Sequence, residues 1–95
     1  MSGFKVRYWG LSFERGNSYE QVAGKVHDRM VSLGKVLDVV ATEVHPHGRN
    51  LRKENYGVSF EGEIALQAKT DVDAENQAYK RLSHLGQVRV AAFRR

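Results

Sequence analysis

The feature that most constrains the fold of this chain is a resemblance between its two halves. Shifting the sequence by 52 positions aligns FKVRYWG (4–10) with YGVSFEG (56–62) without a gap. The same shift brings SLGKV (32–36) onto HLGQV (84–88). The matched positions are apolar residues in alternation, helix-starting hydroxyl residues and glycines, which are the positions that a strand–helix–strand unit needs. The sequence therefore predicts two βαβ units, whether the resemblance arose by duplication or by chance.

Local patterns indicate where the strands and helices of each unit begin. Apolar and polar residues alternate through 4–9 and again through 56–68, which is typical of strands with one buried face. Helices are predicted after Ser18 and after Thr70, because their hydroxyl oxygens can accept hydrogen bonds from the unpaired N–H groups of a first helical turn. Gly34 is expected to end the first helix in a left-handed conformation.

Two further segments complete the order β-α-β-β-α-β. Residues 36–45 are rich in β-branched side chains, and residues 88–93 alternate in polarity, so both are predicted strands. Right-handed crossovers in the two units then give a ferredoxin-like α+β sandwich, with a four-stranded antiparallel sheet of order 4-1-3-2 and two helices on one face. Residues 1–95 form one domain in this interpretation. The segment LSFERGN (11–17) is predicted to be the loop between the first strand and the first helix.

Composition narrows the class of protein. The chain has 95 residues, no cysteine and a net charge of +4. Disulfides and thiolate metal sites are therefore excluded, and the charge favours anionic partners. No apolar run is long enough for a signal peptide or a membrane span, so a cytoplasmic protein without a membrane partner is expected. No cofactor is expected either.

A basic segment, HPHGRNLRKEN (45–55), separates the second predicted strand from the third. In the predicted topology it forms the tip of a β-hairpin at the same end of the sheet as Arg15. We expect Arg15, Arg49, Arg52 and Lys53 to contact phosphate groups of a nucleic acid. The alternative interpretation is a solvated turn, since such residues are also common in loops that bind nothing.

The sheet face away from the helices is the second candidate surface. Lys5, Arg7 and Trp9 of the first strand are predicted to point there, beside Arg89 of the last strand. A tryptophan next to arginines can stack on a base while the guanidinium groups meet phosphate. The same face could instead be covered by a partner protein or by a second subunit, and an open edge strand offers another route to a homodimer.

Metal binding and catalysis have weaker support. His45 and His47 could supply two metal ligands, but no third ligand lies near them in sequence. The loop at 11–17 lacks the glycine spacing of a phosphate cradle, and no nucleophile with a general base is identifiable. The chain is therefore not expected to be an enzyme.

These patterns lead to two hypotheses of function. The first is a small non-enzymatic protein that binds RNA or single strands through the basic hairpin tip and the open face. The second is a protein-interaction or self-assembling module that regulates or inhibits a larger protein machine. The element order is shared with RNA-recognition modules, but RKENYGVSF (52–60) does not carry their third-strand signature, so no family is assigned.

Overall fold

The computed structural model describes residues 2–44 and 55–94. The elements, in chain order, are β1 (Ser2–Arg15), α1 (Tyr19–Val31), β2 (Lys35–Val44), β3 (Asn55–Ala68), α2 (Asp71–Leu82), a short 3₁₀ helix (Ser83–Leu85) and β4 (Gln87–Arg94). All neighbouring strands pair antiparallel, in the order β2-β3-β1-β4. This is the predicted order 4-1-3-2 read from the other edge, so the α+β class and the sheet order are confirmed. Neither helix in the two described segments is long and apolar enough to cross a membrane.

Both helices begin where the sequence predicts. The Ser18 hydroxyl accepts a hydrogen bond from the backbone N–H of Gln21 at 3.1 Å, and the Gln21 side chain in turn accepts from the N–H of Asn17 at 2.7 Å. In α2 the Thr70 hydroxyl accepts from the N–H of Asp73 at 3.1 Å. Each cap occupies an N–H group that has no partner within its helix, which fixes the first turn.

One hydrophobic core lies between the helices and one face of the sheet. Most even-numbered residues of β1 and β3 are buried there against buried residues of both helices. The buried members are Phe4, Val6, Tyr8, Val22, Val26, Met30, Tyr56, Val58, Phe60, Ile64, Leu66, Ala68, Ala74, Ala78, Leu82 and Leu85. Because side chains alternate along a strand, the odd-numbered residues of β1 and β3 lie on the opposite face. We call that side, which neither α1 nor α2 covers, the open face.

The pairing of β1 with β3 follows the shift found in the sequence. Tyr8 pairs with Gly62, and Gly10 pairs with Phe60. The shift of 52 matches Tyr8 with Phe60 and Gly10 with Gly62. Exchanging each residue for its match therefore turns the Tyr8–Gly62 pair into the Phe60–Gly10 pair. The Trp9–Glu61 pair lies between them, at the centre of this approximate two-fold relation.

The first strand is longer than predicted. Residues 11–15 of the segment expected to be a loop belong to β1, and they pair with β3 from Leu11 opposite Ser59 to Arg15 opposite Asn55. The prediction was wrong because the alternation of residues 4–9 was not followed past the glycine at position 10. Through this extension the open face gains Phe13 and Arg15.

The glycine after α1 has a different role from the one predicted. Gly86 is the residue with a positive φ in the described part of the chain, at 137°, so Gly34 does not leave the helix in a left-handed conformation. A β-carbon at Gly34 would collide with the carbonyl oxygen of Glu63. The absence of a side chain therefore lets the connection from α1 to β2 pass close to β3.

A β-bulge interrupts the second strand. Val36 pairs with Gly62, but the next register partner of β3 is Asp38, opposite Glu61, so Leu37 is an extra residue. A bulge moves the following residues to the other face of the strand. This explains why residues 36–45 lack a regular alternation, and it places Asp38 on the open face.

In the described part of the chain, one buried side-chain polar atom has no hydrogen-bond partner. Tyr8 is fully buried, and its hydroxyl oxygen has no hydrogen-bond partner among the described residues. The residue that corresponds to Tyr8 in the second half is Phe60, whose ring lies 6.2 Å from the Tyr8 ring. Burial raises the pKa of the Tyr8 phenol above its ordinary value.

We predict that Tyr8→Phe raises the free energy of unfolding by about 1 kcal/mol at pH 7, because the desolvated hydroxyl is removed while the ring stays. A phenol with a raised pKa in the folded state leaves stability unchanged below about pH 10 and lowers it as the pH rises further. The stabilisation produced by Tyr8→Phe is therefore expected to grow above pH 10. Urea denaturation of both proteins at pH 7 and pH 10.5 measures it, and a loss of stability at pH 7 would contradict the prediction.

Candidate functional site: the open face of the sheet

The centre of the open face is a row of four residues, one from each strand. Arg89 of β4 pairs with Trp9 of β1, Trp9 pairs with Glu61 of β3, and Glu61 pairs with Asp38 of β2. Directly paired residues of an antiparallel sheet point to the same side, so all four side chains lie together on the open face. They line a shallow, open depression. We call this set the central row.

Large apolar side chains are exposed around the central row. They come from three strands and retain between two fifths and two thirds of their accessible surface: Trp9 41%, Val40 47%, Phe93 56% and Phe13 62%. Sequence reasoning missed Phe13, since it lay in the predicted loop. The alternation of Trp9, Leu11 and Phe13 was the signal that could have found it.

Two cations of β1, Lys5 and Arg7, contact an acid of the neighbouring strand. Arg7 donates a hydrogen bond from Nη2 to Oε1 of Glu63 at 2.7 Å, and Nζ of Lys5 lies 3.9 Å from Oε2. The hydrogen bond from Arg7 holds the pKa of the Glu63 carboxyl below its ordinary value, an effect that desolvation opposes. Glu63 was not singled out in the sequence, because only the register of β1 against β3 reveals it as the partner of Arg7.

We predict that Arg7→Gln raises the pKa of Glu63 toward the ordinary value of a glutamate. Since the pKa is depressed in the folded protein, the stability that this carboxylate contributes is present above about pH 4.3 and is lost as the pH falls through the folded pKa. Carboxyl carbon NMR shifts followed from pH 2 to 7 measure the change. Arg89→Gln is the matched control, because Arg89 pairs with Trp9 instead of an acid; an equal change in both variants would refute the assignment.

The structure brings together half of the predicted site residues. Lys5, Arg7, Trp9 and Arg89 are exposed on neighbouring strands of the open face. Arg15 is also exposed, but it ends β1 and does not lie in a loop; its carbonyl oxygen accepts from Nζ of Lys25 at 3.0 Å. The remaining predicted residues, Arg49, Arg52 and Lys53, and the possible metal ligands His45 and His47, lie outside the described residues.

The described part of the open face carries charges of both signs. The cations are Lys5, Arg7, Arg15, Lys35 and Arg89, and the anions are Asp38, Glu61 and Glu63. In the central row the cation stands at the β4 edge and the two acids stand on β3 and β2. The face therefore differs from the continuous basic track that the sequence suggested, because the register interleaves acids that are distant along the chain.

The chemistry available on this face is that of recognition. An indole ring, guanidinium donors and carboxylate acceptors lie within one row, and they can form complementary contacts with a second surface. Among the residues that the structure describes, no group of three or more histidine, aspartate or glutamate side chains could hold a metal ion. No family model, no curated protein and no solved structure matches this chain.

Proposed function

We propose that this chain is a non-enzymatic binding protein whose open face contacts another protein. The observation that carries the proposal is the pattern of that face, where exposed aromatic residues stand among charges of both signs. Protein interfaces are enriched in tryptophan, phenylalanine and arginine, and contiguous exposed apolar surface marks such sites. A phosphate backbone would be expected to select a more uniformly basic face.

We also propose the finer fold assignment and the cellular role that go with this function. The order of elements and the packing of both helices on one face support a ferredoxin-like sandwich. A binding module of this kind suits a regulator or inhibitor of a larger protein machine in the cytoplasm.

A photo-crosslinking experiment tests the proposed surface. The photoreactive residue benzoylphenylalanine replaces Trp9 on the open face in one variant and Tyr79 on α2 in a control, where the native tyrosine is 53% exposed. Both variants are irradiated in living cells that express the chain. We expect protein adducts at position 9 in clear excess over position 79. Equal yields at the two positions would contradict a protein-binding role for this face.

Nucleic-acid binding is the second candidate function, and one observation favours it. Trp9, Phe13 and Arg15 all occupy outward positions of β1, and the strand runs toward the end of the sheet at which the basic segment begins. The aromatic rings could stack on bases of a single strand, and Arg15 could contact phosphate together with Arg49, Arg52 and Lys53. Lys5 and Arg7 would contribute only after release from Glu63.

Binding of RNA and DNA oligomers at several salt concentrations tests this second function. If phosphate contacts dominate, affinity falls steeply with salt, and each cation removed by substitution flattens the logarithmic slope by roughly 0.7–0.9. Arg15→Ala and the triple variant Arg49→Ala/Arg52→Ala/Lys53→Ala are compared with Lys80→Ala on α2. Absence of binding at low salt would refute the nucleic-acid function, and nuclease-sensitive adducts at position 9 would favour it.

A further inference from the structure

We infer that the open face binds the open face of a second copy of the same chain, with a two-fold axis that runs parallel to the strands. The inference rests on the proposed function, since it names the partner of the same surface. The axis passes between β1 and β3, the two central strands. Two face-to-face sheets related in this way keep their strand directions aligned, which is a common mode of sheet packing.

The direction of the axis decides which strands meet. With the axis parallel to the strands, β1 of one copy lies over β3 of the other, and β4 lies over β2. With an axis in the sheet plane but perpendicular to the strands, each strand would lie over its own copy. Given the strand order β2-β3-β1-β4, these are the two symmetric arrangements in which every strand of one copy lies over a strand of the other.

Charge favours the parallel axis. In that arrangement Arg89 of the central row faces Asp38 of the second copy. One row further along, Arg7 faces Glu63 of the second copy and extends the ion pair that already exists in each chain. The perpendicular axis would instead place Arg89 against Arg89 and acid against acid. Like charges in contact across an interface are destabilising, so the second arrangement is disfavoured.

The sizes of the side chains favour the same axis. The outward residues of β1 in and beyond the central row are large: Trp9, Leu11 and Phe13. Their register partners on β3 are smaller or flexible: Glu61, Ser59 and Gly57. The parallel axis sets the large set of one copy against the small set of the other, with Phe13 over a glycine. A perpendicular axis through the central row would instead stack Trp9 on itself and set Phe13 against Lys5 of the second copy.

Asp38 and Arg89 do not form an ion pair within one chain. They lie on opposite edges of the sheet, three strand spacings apart, which is about 14 Å at ~4.8 Å per spacing. Among the described residues, neither has an opposite charge within ion-pair distance. A functional coupling between these two residues therefore reports a contact between two copies.

The expected interface is small. Four strands of about eight residues cover roughly 500 Å² on each copy, by the usual strand spacing and rise, whereas stable interfaces bury about 800 Å² on each partner. We therefore expect a reversible dimer whose population depends on protein concentration.

Charge reversal at the two positions tests the inference. Asp38→Arg and Arg89→Asp are each made alone, and self-association is measured by sedimentation velocity over a range of concentrations. Each variant is expected to weaken the dimer at least tenfold, because like charges then meet twice across the interface. An equimolar mixture of the two variants is expected to form a heterodimer near wild-type strength, since both contacts regain opposite charges. Asp28→Arg and Lys69→Asp are controls with the same changes in net charge at exposed positions outside the open face.

Several results would overturn the inference. If neither single variant weakens the dimer, the open face is not the interface. If both variants weaken the dimer but their mixture does not restore its strength, the parallel axis is wrong. A wild-type chain that stays monomeric at every concentration would refute self-association, while protein adducts at position 9 in cells would leave the proposed function standing.

The fluorescence of Trp9, the single tryptophan of the chain, reports dimerisation without any substitution. Its emission is expected to shift to longer wavelength on dilution, and an unchanged spectrum in a dimerising sample would contradict burial of this face.

Discussion

Replacement of Gly10 or Gly62 with alanine is expected to lower the free energy of unfolding by about 3 kcal/mol or more, the upper range for an overpacked core site. A β-carbon at Gly10 would collide with the carbonyl oxygen of Gln87, and one at Gly62 would collide with the Tyr8 side chain and lie 2.8 Å from the carbonyl oxygen of Lys35. The obstacles include backbone atoms of edge strands, which cannot move without separating the sheet. Since a domain of this size has about 5–15 kcal/mol in total, either variant is expected to be close to unfolding at 37 °C.

The chain offers a matched control in Gly24, within α1. No atom lies within 4 Å of a β-carbon at that position. Gly24→Ala is therefore expected to raise stability by about 0.5–1 kcal/mol, through the lower conformational entropy of the unfolded chain. Thermal denaturation followed by circular dichroism measures all three variants. Stabilities of the Gly10 and Gly62 variants within 1 kcal/mol of the wild type would contradict the close strand contacts.

Truncation of Leu85 is expected to cost more than truncation of Leu33, although the two leucines occupy equivalent positions of the two halves. Leu85 lies in the 3₁₀ helix after α2 and is 1% exposed, whereas Leu33 is partly exposed and packs at the margin of the core. Leu85→Ala is expected to lower the free energy of unfolding by about 3 kcal/mol, through lost transfer free energy and a residual cavity. For Leu33→Ala we expect about 1 kcal/mol, because water already reaches that side chain.

Urea denaturation measures the free energy of unfolding of both leucine variants, analysed with one common dependence on urea concentration. The comparison is internal, since the substitution is the same and a glycine follows the leucine in both halves. A larger loss for Leu33 than for Leu85 would show that the first helix, and not the second, closes the main part of the core.

The fold could be predicted because its signals are local. The alternation through 56–68 and the caps at Ser18 and Thr70 depend on side chains within a few residues of each other. Their combination leaves few topologies once right-handed crossovers are required. The errors arose where a local signal was ambiguous: a glycine at position 10 concealed the continuation of β1, and a bulge at Leu37 concealed the period of β2.

The candidate site could be predicted only in part. Trp9, Arg7 and Arg89 were assigned to one face by alternation alone, and the structure agrees. Their partners could not be assigned in this way, since Glu63 and Asp38 reach the face through strand register and through the bulge. A prediction of binding chemistry from the cations alone therefore overestimated the positive charge of the face.

The sequence by itself determined the class of fold, the starts of the two helices and the side of β1 that carries Trp9, since side-chain periodicity and capping act over a few residues. The tertiary structure alone decided which acid meets Arg7, how far the open face extends, and that a cation and two acids share the row of Trp9. The physical reason is that strand register depends on contacts across the whole sheet. Such contacts join residues more than fifty positions apart, such as Arg7 and Glu63, and no local pattern contains them.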